Sequence, residues 1–294
     1  MNSDEVSSSG TSSLETLKKA SRWLSAYARD VYSQTGEDGI VAQALAMLPA
    51  RNRWCVEFGA WDGKHLSNTF RLVEEDDYEV VLIEGDAEKY RRLRADYPYQ
   101  DRGTFVHGLV GWTEQDGLDA ILSGTAAPQD FDLLSIDIDG NDYHVWAAVK
   151  KYRPKLVLIE FNPTASNRID FVQRQDAKCN QSASPAAVVR LGKEKGYELI
   201  SVIGPNLLLV DSQYYELFHI PDNSLAVMRD EDEVTTLYLA FDGSVIVDGP
   251  AELRWHGGKL KIKQPLPKVL QRYPAYYTPF QKFLFRVFRK LLPG

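Results

Sequence analysis

Residues 54–63 read WCVEFGAWDG, a short apolar run that ends in an acid and then a glycine-punctuated turn. Val56 and Phe58 flank Glu57 in a segment short and apolar enough for a buried strand, and Gly59 and Gly63 let the backbone bend closely around a ligand. Two later stretches give this one its meaning. Residues 80–86, VVLIEGD, form a second buried strand ending in Glu84, about twenty or so residues on, where nucleotide-binding α/β folds place an acid for ribose hydroxyls. Residues 132–142, DLLSIDIDGND, make a further strand that closes on a cluster of carboxylates. Open parallel sheets hold ligands beyond the carboxyl ends of their strands, so these acids are expected to converge on one crevice.

Outward from this stretch, strands are expected at 54–58, 79–84, 104–109, 132–137 and 155–160, separated by helical or loop segments. That alternation predicts a mainly parallel sheet with helices on both faces and right-handed crossovers. A helix at 188–195 leads into a sixth strand at 197–203, and Gly204, Pro205 and Asn206 turn the chain into an antiparallel partner at 207–210. Upstream, Leu14, Leu17, Ala20, Trp23, Leu24 and Tyr27 recur at helical spacing. The segment SQTGEDG at 33–39 then precedes a second helix over 40–48, with Thr35 and Asp38 spaced as a cap; the same polar residues equally suit a ligand contact, and both can hold at once. Residues 1–13 are polar, with no apolar stretch for a signal peptide or a membrane span, and are read as a disordered tail. Short alternating runs within 234–263 read as a small β addition. The expected domains are therefore a tail at 1–13, a main α/β domain at 14–218 and a C-terminal β and helical addition at 219–294.

The length of 294 residues suits one large domain with an appendage, and 44% hydrophobic content supports a proper core. A formal charge of −7 argues against a nucleic-acid partner. Only Cys55 and Cys179 occur, without metal-like spacing, which reads as a reducing, cytoplasmic protein. From Gly257 onward there are nine basic residues and no acidic one, leaving −16 on the rest. Within that tail Phe280, Phe283, Leu284, Val287, Phe288 and Leu291 fall on one helical face, and Lys282, Arg286, Arg289 and Lys290 mostly on the other. Such a helix either docks on a core or makes peripheral contact with a membrane.

Taken together, SQTGEDG at 33–39, VEFGAWDG with SNT over 56–69, LIEGD at 82–86, LLSIDIDGNDY at 133–143, IEFNP at 159–163 and KEKGYELISV to NLLLV at 193–210 resemble one family. It is the FkbM-like branch of class I S-adenosylmethionine (SAM)-dependent methyltransferases. The resemblance implies a doubly wound, Rossmann-like sheet of seven strands, mainly parallel with the last strand antiparallel. It also implies SAM as methyl donor and, usually, O-methylation of a hydroxyl on a sugar, glycan, glycolipid or secondary metabolite. Carried over by residue, Glu57, Gly59, Ala60, Asp62 and Gly63 match the SAM loop, Glu84 the acid for the ribose hydroxyls, and Asp137 the acid near the methyl donor. Gln34 and Asn68, in the flanking motifs, complete the expected cofactor set. Trp61 stands where many methyltransferases carry a small residue.

SAM brings a sulfonium, an ammonium, a carboxylate and a ribose diol. Its site needs carboxylates for the cations and diol, and free backbone N–H groups, expected here from the turn at 59–63 opening toward a helix. His144 beside the acid cluster is the candidate general base, with Asp139 and Asp137 as further catalytic candidates. His65 is the next choice, and His107, His219 and His256 take no role. Asp139, Glu160 and Asn162 offer hard oxygens for magnesium or calcium, although residues 139–142 read equally as an Asx turn and helix cap. DIDGND is not an EF-hand loop, because Ile138 and the missing downstream glutamate break that pattern. A non-catalytic SAM-binding or scaffolding protein is the competing function. A nicotinamide dehydrogenase ranks below both, since no GxGxxG follows the first strand.

Overall fold

The computed structural model describes residues 4–253 and 255–290, with side chains from residue 13 onward. The chain divides into two compact units, 1–230 and 231–294. The division falls twelve residues beyond the expected end of the main domain at 218, for a local reason. A short helix at Leu225–Met228 and the residues after it are bonded into the first unit: Arg22 Nε donates to Val227 O (2.6 Å), Lys18 Nζ to Asp230 Oδ1 (2.9 Å), and Arg229 to Ala165 O (3.0 Å).

The first unit carries strands β1 (Trp54–Phe58), β2 (Glu79–Glu84), β3 (Gly103–His107), β4 (Leu133–Ile136), β5 (Leu156–Glu160), β6 (Tyr197–Ile203) and β7 (Asn206–Asp211). They form one sheet in the order β3-β2-β1-β4-β5-β7-β6. Pairing is parallel throughout except at β7, which runs antiparallel to both β5 and β6. This is the expected doubly wound, Rossmann-like sheet, mainly parallel with one antiparallel strand, and the strand order reverses between β1 and β4. Strands buried on both faces read as continuous apolar runs, and Cys55, Val56, Val80, Val81, Leu82, Leu133, Leu134, Leu156 and Val157 are all 0% exposed.

The helices are α1 (Asp4–Ser21), α2 (Glu37–Met47), α3 (Phe70–Asp76), α4 (Ala87–Asp96), α5 (Leu118–Leu122), α6 (Asp142–Ala148), α7 (Pro185–Glu194) and α8 (Leu225–Met228). Helix α1 reaches back to Asp4 and so includes most of the segment read as a disordered tail; residues 1–3 lie outside the described residues. Once a turn is nucleated, each further residue adds one i→i−4 bond, so a polar run can continue a helix begun by its neighbours. The apolar spacing of 14–27 is only partly used. Leu24 is fully buried in a 3-10 turn at Trp23–Tyr27, while Leu14 and Tyr27 stay exposed.

Asp132 marks the amino ends of the strands, the end away from the expected crevice. It is fully buried, ion-paired with Lys155 Nζ (2.5 Å), and accepts from the Asn52 and Arg53 N–H groups at 3.1 and 2.8 Å. Its role is structural.

The second unit holds two antiparallel ladders, β8 (Thr236–Leu239) with β9 (Val245–Asp248) and β10 (Glu252–Leu253) with β11 (Gly258–Lys259), and a terminal helix α9 (Pro279–Arg289). The KLKI run contributes only its first residue to a strand. Leu291, the last residue of the expected apolar helix face, lies outside the described residues. Among the described residues, no helix is long and apolar enough to cross a membrane.

Candidate functional site

The exits of β1 and β4 touch. Gly59 has φ +74°, and a Cβ built on it would lie 2.3 Å from Asp137 O, so both conformation and space demand glycine. The Gly59 and Ala60 N–H groups donate to Ile83 O (3.1 and 3.3 Å), Trp61 N–H to Glu84 Oε2 (2.8 Å), and Gly63 N–H to Ala60 O (2.7 Å). The turn at 59–63 was expected to offer free N–H groups opening toward a helix. Instead those four groups clip the turn onto β2 and onto itself, and the next helix, α3, begins only at Phe70. Asp62 is equally local, accepting from the Lys64 and His65 N–H groups at 2.9 and 2.7 Å. Trp61 is left-handed at φ +49°, and the Glu84 bond holds it there. Its exposed ring lies 4.9 Å from Lys89 Nζ and edge-on to His65, with centroids 5.1 Å apart.

Glu84, buried at the end of β2, also accepts from Asp86 N–H through Oε1 (2.7 Å). A carboxylate has about four lone-pair sites, so acceptor capacity for a diol is left. Glu57 is turned to a different task. Oε2 accepts from Ser67 Oγ and Thr69 Oγ1, both at 2.6 Å, and Oε1 from Asn68 N–H at 2.9 Å. Asn68 Nδ2 in turn donates to Ser135 Oγ on β4 (3.1 Å), and Ser67 Oγ accepts from Phe70 N–H (3.0 Å) at the start of α3. Glu57 is thus the clamp of the SNT turn. Burial raises its pKa, opposed by the bonds from Ser67, Thr69 and Asn68.

At the end of β4, Asp137 keeps contact with solvent, but the protein packed around it weakens the hydration of its charged form. With the nearby charges of Asp142, Asp139, Glu57 and Glu37 added, its carboxyl is pushed up to about 7. Asp142 is fully buried and accepts from Ile138 N–H and Gly140 N–H, both at 2.9 Å; both donors precede it, and the N-cap residue Asn141 makes no side-chain capping bond, so in place of the expected Asx turn and helix cap Asp142 reaches back to hold the turn after β4. Burial pushes it to about 6 against those two bonds. Asp139 is left-handed at φ +55°, a conformation Asp tolerates, and its carbonyl accepts from Asn180 Nδ2 at 2.7 Å.

Ligand oxygens of Asp137, Asp139 and Glu160 lie within 4.8 Å of one another, a trio of hard oxygens suited to a divalent cation. Asn162, expected in that set, is replaced by Asp137. Its Oδ1 accepts from Thr164 N–H and Oγ1 (2.9 and 2.7 Å), and its Nδ2 donates to Gln181 O (2.8 Å), which commits the amide to its own turn.

His144 lies in the first turn of α6, with Nε2 2.7 Å from Gln173 O. A carbonyl only accepts, so that bond requires the proton on Nε2 and leaves Nδ1 as the basic nitrogen. The sequence reading missed Gln173. It is buried, Oε1 accepts from the Gln181 and Ser182 N–H groups at 2.8 Å, and Nε2 donates to Cys179 O at 2.9 Å. It folds the long loop between β5 and α7 against α6. No spacing or composition marks such a residue, because its partners are all backbone.

The SQTGEDG segment closes the same end of the sheet. Glu37 Oε1 accepts from Thr35 Oγ1 (2.6 Å) and Asn206 Nδ2 (2.9 Å), and Asn206 pairs with Glu160 across β7 and β5. Asp38 Oδ2 accepts the N–H groups of Val31, Tyr32 and Ser33 at 2.9, 2.7 and 2.8 Å. The expected Thr35–Asp38 cap gives way to Gly36, left-handed at φ +104°, while Glu37 reaches back to the Thr35 N–H (2.7 Å). Gln34 is exposed, and its backbone N–H also donates to Glu37, at 3.3 Å.

The sequence matches no protein-family model and no curated protein. Among solved structures, it resembles the glycopeptide N-methyltransferase MtfA complexed with SAM, at 15% identity over 61% of this chain and 94% of that one, with a TM-score of 0.36. The CurJ carbon methyltransferase is similar at 12% identity, 62% and 56% coverage and TM-score 0.42. Cofactor-bound Rv0187 from MTB follows at 15%, 69% and 89%, and 0.41. Likeness at this level is similarity and nothing more; the architecture rests on the strand order itself.

Proposed function

We propose that this chain is a SAM-dependent methyltransferase acting on a hydroxyl of a sugar, glycan, glycolipid or secondary metabolite. The observation that carries the reading is the cluster of Asp137, Asp139 and Glu160, whose ligand oxygens lie within 4.8 Å of one another beside the point where strand order reverses, between β1 and β4, with Asp137 pushed up to about 7 first by burial and then by the neighbouring acids. A crevice so built favours a cationic ligand with a diol, and the family resemblance of residues 33–210 names one. SAM would supply an activated methyl group on a sulfonium. Asp137 would face its positive charge and Glu84 would accept from the ribose hydroxyls, while Gly59 keeps the β1 and β4 exits close enough for one ligand to span both. Glu57 supports them by holding the SNT turn and Asn68. His144 Nδ1 takes the proton of the acceptor hydroxyl, while alignment of the acceptor supplies much of the rate.

The test is calorimetric titration with SAM, followed by a methyl-transfer assay on a panel of sugars and glycolipids. Saturable binding with transfer to oxygen supports the reading. Binding without transfer to any acceptor would favour a non-catalytic SAM-binding or scaffolding protein, and no binding by the folded chain would overturn both. Repeating the assay in chelator, with and without magnesium, decides whether the trio of Asp137, Asp139 and Glu160 works through a metal.

A further inference from the structure

Helix α9 is fastened along one edge. It starts from a capping box, Thr278 with Gln281, with Pro279 in its first turn. Gln281 Nε2 donates to Val269 O (2.8 Å), and Phe285 packs on the buried Tyr277 with ring centroids 5.7 Å apart. Tyr277 is itself anchored by its hydroxyl on Leu270 O (2.7 Å).

Away from that edge, apolar side chains stay open to solvent among the described residues. Phe280, Phe283 and Val287 are 66%, 61% and 45% exposed. At 100° per residue the three span an arc of about 60°. Lys282, Arg286 and Lys290 fill the neighbouring arc of about 80°. Just upstream Tyr273 and Tyr276 are also exposed, and every charged residue from Gly257 on is basic.

We infer that α9 is a membrane-surface anchor that seats Phe280, Phe283 and Val287 in the interface of an anionic bilayer, with Lys282, Arg286 and Lys290 on the headgroups. An exposed aromatic wedge bordered on one flank by cations matches the cross-section of a helix lying in the plane of a charged bilayer. A nucleic acid would use the cations but has no need of a contiguous apolar stripe, so the aromatic wedge selects lipid. The inference is independent of methyl transfer and is read without SAM.

The full chain is floated with vesicles of phosphatidylcholine containing phosphatidylserine and, separately, with vesicles of phosphatidylcholine alone. Binding is expected to the mixed vesicles, to weaken steeply with salt, and to be marginal on the neutral ones. Neutralising Lys282, Arg286 and Lys290 to Gln should lower partitioning about a hundredfold, at about fivefold per cation. Phe280→Ser with Phe283→Ser should lower it by a similar factor or more. Both sets are exposed and leave the Thr278, Gln281 and Tyr277 anchors untouched, and an unchanged thermal melt confirms that the fold is retained. In a second measurement, Phe283→Trp fluorescence should shift to the blue on mixed vesicles and be quenched by lipids brominated in the acyl chain. The inference is overturned by equal binding to neutral vesicles, by no binding to either, or by a Phe double variant that binds as wild type. It is also overturned if a short DNA duplex displaces the chain from the vesicles, because the basic face would then serve nucleic acid.

Discussion

Glu57→Ala is expected to unfold the site from its support rather than from its ligand. The carboxylate is almost wholly buried and accepts three bonds, from Ser67 Oγ, Thr69 Oγ1 and Asn68 N–H. A hydrogen bond to a charged group contributes about 1.5–3 kcal/mol, but the three do not simply add. Ser67 Oγ keeps its bond from Phe70 N–H, and the two hydroxyls already lie 3.4 Å apart, so they can partly satisfy each other. Asn68 N–H has no such recourse in a buried turn. Burial also penalises the ionised acid, which offsets part of the gain. The net expectation is a loss of about 3–5 kcal/mol for Glu57→Ala and about 1–2 kcal/mol for Glu57→Gln, which keeps one acceptor oxygen. Urea unfolding followed by tryptophan fluorescence reads both variants. A Glu57→Ala protein within about 1 kcal/mol of wild type would refute the clamp. In that case the SNT turn is held by something other than this carboxylate.

Glu84→Ala should weaken SAM binding tenfold to about a hundredfold, the cost of charge-assisted bonds to a diol, and wild-type affinity in calorimetry would remove Glu84 from the ribose role. His144→Ala should slow turnover by about a hundredfold or more while SAM affinity changes only a few-fold; an equally active variant would dismiss it as the base. Asp142, raised from 3.8 to about 6 in the folded state, holds a proton that the unfolded chain releases. Its contribution to stability is therefore full below about pH 4 and is lost as pH rises through about 6. Asp142→Asn should remove that part of the slope and leave the part contributed by Asp137, which extends to about 7. Unfolding curves across this range that superimpose for the two proteins would contradict the assignment.

What the sequence determined by itself was the sheet. The strands at 54–58 and 79–84 fall where their apolar runs place them, because a strand buried on both faces must be apolar from end to end. The turn of Gly204, Pro205 and Asn206 likewise announced the antiparallel β7, since local backbone conformation is written in such residues. That the acids of β1, β2, β4 and β5 end at one edge also followed, because all parallel strands point the same way.

Only the tertiary structure decided what each acid does there. Asp132 lies at the opposite end, paired with Lys155; Glu57 and Asp142 hold turns; Glu84 and Asp137 keep acceptor capacity or solvent access toward the crevice. Asn162 left the expected metal set for its own turn, and Asp137 took its place. Gln173, which fixes His144 and the loop after β5, was invisible in the sequence. The physical reason is common to all of them. Backbone conformation and apolar burial depend on near neighbours and leave a pattern, whereas a carboxylate or amide accepts whatever donor the fold brings to it. Those donors are mostly backbone N–H groups, which every residue but proline carries and which therefore leave no mark in the sequence.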